Sequence, residues 1–113
     1  MSALDELRPR ADQGDTDAQS YLGAMYARGI GVAKDEVEAV KWYRKAADQG
    51  DAVAQYNLGL MYDNGLGVAK DEVEAVKWYR KAADQGLADA QYNLGVMYAY
   101  GRGVAKDEVE AVK

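Results

Sequence analysis

Four stretches of the chain carry residue types that can do chemistry. The first is Gly-x-Gly-Val-Ala-Lys, present at Gly29–Lys34, Gly65–Lys70 and Gly101–Lys106. Glycines ahead of a lysine can cradle a phosphate on backbone amides, but here the third glycine of G-x-G-x-x-G and the G-K-[ST] of a P-loop are absent, and no strand precedes the loop. The second is the acidic run Asp35-Glu36-x-Glu38, repeated at Asp71 and Asp107. Paired carboxylates can hold a cation or move a proton. These stand at the spacing of a helix start, where acids cap the first turn and complement the dipole. The third, Asp63-Asn64-Gly65, lacks the alternating acids and the closing glutamate of a calcium loop. The fourth is aromatic: Trp42 and Trp78 with their tyrosine neighbours, among nine tyrosines in all. Such rings can stack bases, but no basic patch accompanies them. The chain has no histidine and no cysteine. That removes the commonest general base, the commonest metal ligand, thiolate sites and disulfides. We read the chain as non-catalytic, with no cofactor and no metal.

What these stretches share is recurrence. Val32–Gly50 and Val68–Gly86 are identical over 19 residues, 36 positions apart, and the series starts again at Val104. Copies begin at Asp12, Asp48 and Asp84. The expected organisation is one continuous solenoid domain: an N-terminal partial or capping helix over 1–11, repeat 1 over 12–47, repeat 2 over 48–83, and repeat 3 over 84–113, cut short at its C-terminal side. Copies two and three differ at six of the 30 positions they share: Asp51/Leu87, Val53/Asp89, Leu60/Val96, Asp63/Ala99, Asn64/Tyr100 and Leu66/Arg102.

Each copy reads as two helices. In copy two, helix A spans about Ala52 to Asp63, with Asp51 as N-cap. Ala54, Leu58, Met61 and Tyr62 share one helical face, and Asn64-Gly65 ends the helix. A short loop makes the second helix its antiparallel neighbour. Helix B starts at Asp71, which has capping-box spacing to Glu74, and its apolar set is Val73, Ala75, Val76, Trp78, Tyr79, Ala82 and Ala83. Neither helix covers its apolar face alone, so the copies must stack. Ser2–Ala11 aligns with helix B of a preceding copy, Leu4 and Leu7 standing at the Val40 and Tyr43 positions. Pro9 falls inside that helix and is expected to end it early.

The pattern A-Q-x-x-L-G-x-M-Y-x-x-G-x-G-V-x-x-D, then A-x-x-W-Y-x-K-A-A-x-Q-G, resembles the Sel-one-like repeat (SLR) family of tetratricopeptide-like (TPR-like) helical pairs. Copy two carries it from Ala54 and Gln55 through Gly65, Gly67 and Asp71 to Trp78, Tyr79, Gln85 and Gly86. The resemblance covers Asp12–Lys113. It implies an all-α fold, a right-handed α/α solenoid (superhelix) of antiparallel helix pairs with a 36-residue repeat. It also implies adaptor or scaffold roles in protein complexes, with no shared catalytic residues. Cysteine-rich secreted members exist, and their disulfide-stapled variant does not carry over to a chain without cysteine.

Variation between copies points to a surface. Helix B does not vary, whereas five of the six differences lie in helix A or the approach to it. Stepping 100° per residue from Leu58, the positions turned furthest outward are those of Val53, Tyr56, Leu60, Asp63 and Asn64. Because A helices line the concave side of tetratricopeptide-like arrays, an apolar and aromatic groove is expected from Val53, Tyr56, Leu60, Tyr92, Val96 and Tyr100. Arg28, Asn64 and Arg102 would edge it, and a peptide or protein segment would lie in it. The competing reading is that these side chains pack helix A against helix A between copies.

The formal charge of −5 disfavours nucleic acid and anionic membranes as partners. No leader or membrane span is evident, so a cytoplasmic setting is expected, with periplasmic or secreted settings left open should a signal peptide have been removed. At 113 residues one domain burying roughly 60–70% of its unfolded surface is expected. Copy three stops within helix B before any Trp-Tyr pair, leaving a face that invites end-to-end or swapped homo-oligomer contacts, or a frayed last turn. Identity over 19 residues also fits a structural, consensus-designed or fragmentary scaffold with no ligand of its own.

Overall fold

The structure, a computed structural model, describes residues 2–112. Its order is α1 (Ala3–Asp12), α2 (Thr16–Arg28), α3 (Glu36–Asp48), α4 (Ala52–Asn64), α5 (Glu72–Asp84), α6 (Ala88–Tyr100) and α7 (Glu108–Ala111). No strand occurs among the described residues. The repeat-3 span of the sequence reading ends at Lys113, which lies outside them.

Caps set the boundaries. The carboxylates of Asp15, Asp35, Asp51 and Asp71 each accept an amide from three residues on, at 3.0–3.1 Å. Such a bond satisfies a donor that the first helical turn leaves unpaired. Gly29, Gly65 and Gly101 end the A helices in the left-handed conformation. Two local expectations change. The Asp71/Glu74 box is only half formed: Asp71 accepts from the Glu74 amide, while the Glu74 carboxylate faces Lys77 at 3.5 Å. The reciprocal box forms instead in α1, between Ser2 and Asp5.

Pro9 does not end α1, which runs on to Asp12. A proline costs the helix one amide donor and crowds the preceding turn. Tertiary contacts outweigh that cost here. Ala11 is buried, its carbonyl accepts from Gln19 Nε2 at 3.1 Å, and Arg10 reaches Asp15 at 2.8 Å. Leu4 and Leu7 pack on the same core.

The core is a chain of small clusters rather than one centre. Trp42 of α3 packs with Ala11, Ala18, Leu22 and Met25 of α1 and α2. Its sequence neighbour Tyr43 packs forward, with Ala54, Leu58 and Met61 of α4. Trp78 and Tyr79 repeat this division one copy later. Each helix B thereby stitches the unit before it to the unit after it, which makes stacking obligatory. Close approach requires Gly59: a methyl group there would lie 2.7 Å from the Tyr79 ring. The result measures 51 × 25 × 17 Å with a radius of gyration of 14.7 Å. A compact chain of this length would have a radius of about 13 Å, so the array is drawn out along one axis.

Candidate partner-binding surface

The outer face of the A helices is where the residues singled out by sequence fall. Gly29, Gly65 and Gly101 stop these helices on the same turn of each copy, which aligns the outward positions along the array. Val53, Tyr92 and Tyr100 are large apolar residues left exposed, Tyr92 and Tyr100 by more than 70%. Between α2 and α4 lies a hollow of about 330 Å³, lined by Asp17, Ser20, Arg28, Val53 and Asn57 among others. A second hollow of about 270 Å³ is lined by Tyr92, Val96, Ala99, Tyr100 and Val112 among others.

Between these hollows the residues pack more tightly. Tyr56 and Leu60 are half-buried against the Ala75–Val76–Tyr79 cluster. The Tyr56 and Tyr79 rings sit 5.9 Å apart and are tilted. Two of the edge residues are already engaged. Asn64 Nδ2 donates to the Leu60 carbonyl of its own helix at 3.0 Å. Arg102 donates from Nη2 to Asp63 and from Nε to Glu72, both at 2.6 Å, and the Glu72 carboxylate beside it pushes its pKa up further. Arg28 is exposed and has no ion pair among the described residues.

Two tyrosines behind this face are displaced from their ordinary acidity. Burial pushes the Tyr43 and Tyr79 phenols up, and Tyr79 donates to Asp63 Oδ2 at 3.0 Å. The tryptophans are core: Trp42 and Trp78 are at most 4% exposed. Their Nε1 atoms find no acceptor among the described residues. Lysines cover the ring faces, Lys45 at 4.9 Å from Trp42 and Lys81 at 5.0 Å from Trp78. No cluster of three or more potential metal ligands occurs among the described residues. None of their helices is long and apolar enough to cross a membrane.

The structure adds two residues that sequence reasoning passed over. Tyr21 and Ile30 are 65% and 55% exposed and, with Leu4, Leu7 and Met25, border an apolar hollow of about 510 Å³ beside α1. The available signal was copy-specific identity, since Tyr21 stands where the other copies have Asn57 and Asn93, and Ile30 where they have Leu66 and Arg102.

Comparisons with known proteins agree with this architecture. No curated protein matches the chain. Among solved structures it is similar to c5321, a protective antigen of uropathogenic Escherichia coli strains displaying an SLR fold, with 48% identity and a TM-score of 0.95. That match covers 96% of this chain and 23% of c5321. A Sel1 repeat protein from Oxalobacter formigenes is also 48% identical, with a TM-score of 0.86, covering 88% of this chain and 41% of that one. The chain thus spans about a quarter and about two-fifths of these two relatives. Helicobacter pylori cysteine rich protein B is 25% identical with a TM-score of 0.72, covering 98% of this chain and 84% of that one. The Sel1 repeat itself matches three times in succession, over residues 16–51, 52–87 and 88–113, and the chain belongs to the Sel1 repeat family.

Proposed function

We propose that this chain is a non-catalytic adaptor that binds a peptide or protein segment along the outer face of its A helices. Sel1 repeats are generally protein-interaction modules. The observation that carries the finer reading is the exposure of Val53 beside the hollow between α2 and α4, and of Tyr92 and Tyr100 beside the second hollow on α6. Exposed aromatic and aliphatic residues next to concave surface are the usual anchors for a partner. In this reading Arg28, Val53 and Tyr100 meet the partner directly, with Tyr92 and Val96 beside them. Tyr56 and Leu60 form the floor, and Asn64 and Arg102 hold its edge in shape.

The test borrows residues from copy one. Val53→Asp, Tyr56→Ser and Leu60→Ala together give copy two the outer face of copy one, where Asp17, Ser20 and Ala24 already stand in the same fold. Affinity capture from extracts of the source cells is compared for the parent chain, this triple variant, and a control with Lys41→Ala and Lys77→Ala on the B helices. Loss of the captured protein with the triple variant alone supports the proposal. Equal recovery by all three, or no specific capture by the parent, overturns it, and the latter favours a purely structural scaffold.

A further inference from the structure

The charges along one hollow of the A-helix face give a partner a direction. We propose that the hollow between α2 and α4 selects a short extended peptide segment, with a basic side chain at the Asp17 end and an acidic side chain at the Arg28 end. It rests on the partner-binding role proposed for the A-helix face and names the partner chemistry that one part of that face reads.

The hollow of about 330 Å³ is lined from α2, from α4 and from Asp51, the cap of α4. Two small residues keep it open. In copy two Tyr56 and Leu60 pack onto a cluster shared by α5 and α6, formed by Ala75, Val76, Tyr79 and Met97. Copy one has Ser20 and Ala24 at those positions, and both line the hollow. Access is a property of the position in the repeat. Val53 and Asn64, the equivalents of Asp17 and Arg28, have a copy on either side and are exposed all the same.

Charge is divided along this hollow. Asp17 stands in the first turn of α2 and Asp51 caps α4, so both carboxylates lie where the A helices begin. Arg28 is the last residue of α2, about 16 Å further along at the rise of a helix. A hollow that touches both ends is a trough along α2 rather than a round pocket. Asp17 and Arg28 are exposed, and neither forms an ion pair among the described residues. Asp51 uses Oδ2 for its cap, which leaves Oδ1 to face a cation. Between the ends, Ala24 and Val53 offer apolar contact. The Asn57 side chain makes no hydrogen bond among the described residues, so its amide can donate to and accept from a passing main chain. Between α4 and α6 the residues equivalent to Asp17, Asp51 and Arg28 are Val53, Leu87 and Asn64, all neutral. The divided charge therefore belongs to the α2–α4 hollow and not to the repeat.

These features fix the occupant. A helix is about 10–12 Å across, too wide for a trough of this volume. An extended chain advances about 3.3 Å per residue and joins the two ends with about five residues. Opposite charges at the ends favour one seating and penalise the exchanged one.

Selection of a displayed library of random peptides, about nine residues long, on the immobilised chain tests this. Enriched peptides are expected to carry one basic and one acidic residue about five positions apart. On the Arg28→Glu variant the same library is expected to keep the basic residue and to exchange the acidic one for a second basic residue. A synthetic peptide with the sequence enriched by the parent should bind Arg28→Glu about tenfold more weakly. Asn64 and Tyr100 stand at the equivalent positions, so the variant should match the parent in helical circular dichroism. Enriched peptides without the charge pairing, or the same peptides on both chains, overturn the charge selection and leave the wider A-helix face standing. Absence of enrichment on the parent overturns it as well. Affinity capture with the triple variant judges the wider face by itself, so the two failures are told apart.

Discussion

Arg102 and Asp63, 39 residues apart in sequence, meet at 2.6 Å across the junction between the second and third copies. The Asp63 side chain is only 12% exposed and also accepts from Tyr79. At this junction two copy-specific substitutions prove to be one event, a charge in one copy answered by its opposite in the next.

Removing one partner should therefore cost more than removing both. Arg102→Leu leaves Asp63 without its guanidinium and is expected to destabilise the chain by about 1–2 kcal/mol, the lower part of the range because Arg102 is partly exposed. Combining it with Asp63→Ala recreates the Ala27/Leu66 arrangement and recovers most of that loss. Urea unfolding of the four chains measures the coupling. Additive losses would show that the pair does not act as a unit.

The raised tyrosines set an alkaline limit. A phenol whose folded pKa lies above its unfolded value of about 10 contributes stability that is whole below pH ~10 and is lost as pH rises through the folded value. Tyr43 and Tyr79 are both shifted upward by burial. Their ionisation, followed by tyrosinate absorbance, is expected to coincide with loss of helical circular dichroism. Tyr43→Phe should move the alkaline midpoint upward, and an unmoved midpoint would count against burial as the cause.

Among the 13-residue helices, α6 is the one whose N-cap makes no side-chain hydrogen bond, because Leu87 stands where α2 and α4 have Asp15 and Asp51. Leu87→Asp is expected to raise stability by about 0.5–1 kcal/mol. Thermal melts of the two chains should separate by a few degrees, with the variant higher.

Gly59→Ala should do the opposite. Its methyl group would sit 2.7 Å from the Tyr79 ring, and the ring is fully buried. A loss of about 1–3 kcal/mol is expected from overpacking, despite the better helix propensity of alanine. A variant as stable as the parent would mean that α4 and α5 can separate without penalty.

Helix limits were legible from sequence because aspartate caps and terminal glycines act within a few residues. The division of labour between Trp42 and Tyr43 was not, since adjacent side chains on one face gave no sign that they serve different cores. Pro9 misled for a related reason: a local rule lost to contacts from Gln19 and Asp15 that lie beyond its own helix. Stepping round helix A from Leu58 turned Val53 and Asn64 outward, where the structure leaves them exposed, but also Tyr56, Leu60 and Asp63, which lie against Tyr79 because the next helix B reaches across that face. Tyr21 and Ile30 were missed because their hollow exists only where α1 leaves α2 partly uncovered. The Asp63–Arg102 pairing was visible as two differences but not as a pair.

The glutamine bonds carry one more implication. Gln19 donates to the end of α1 and Gln55 and Gln91 each to the end of the preceding helix B, while Gln49 and Gln85 reach back to the turn near the start of the unit before their own. These amides form a seam down one edge, with every stitch anchored in the one before. Among helices of equal length α6 buries least, only Ala90 and Met97. Unravelling should therefore have a direction: the seam opens at α6 and runs back toward α2, so amide protons in α3 and α4 exchange last.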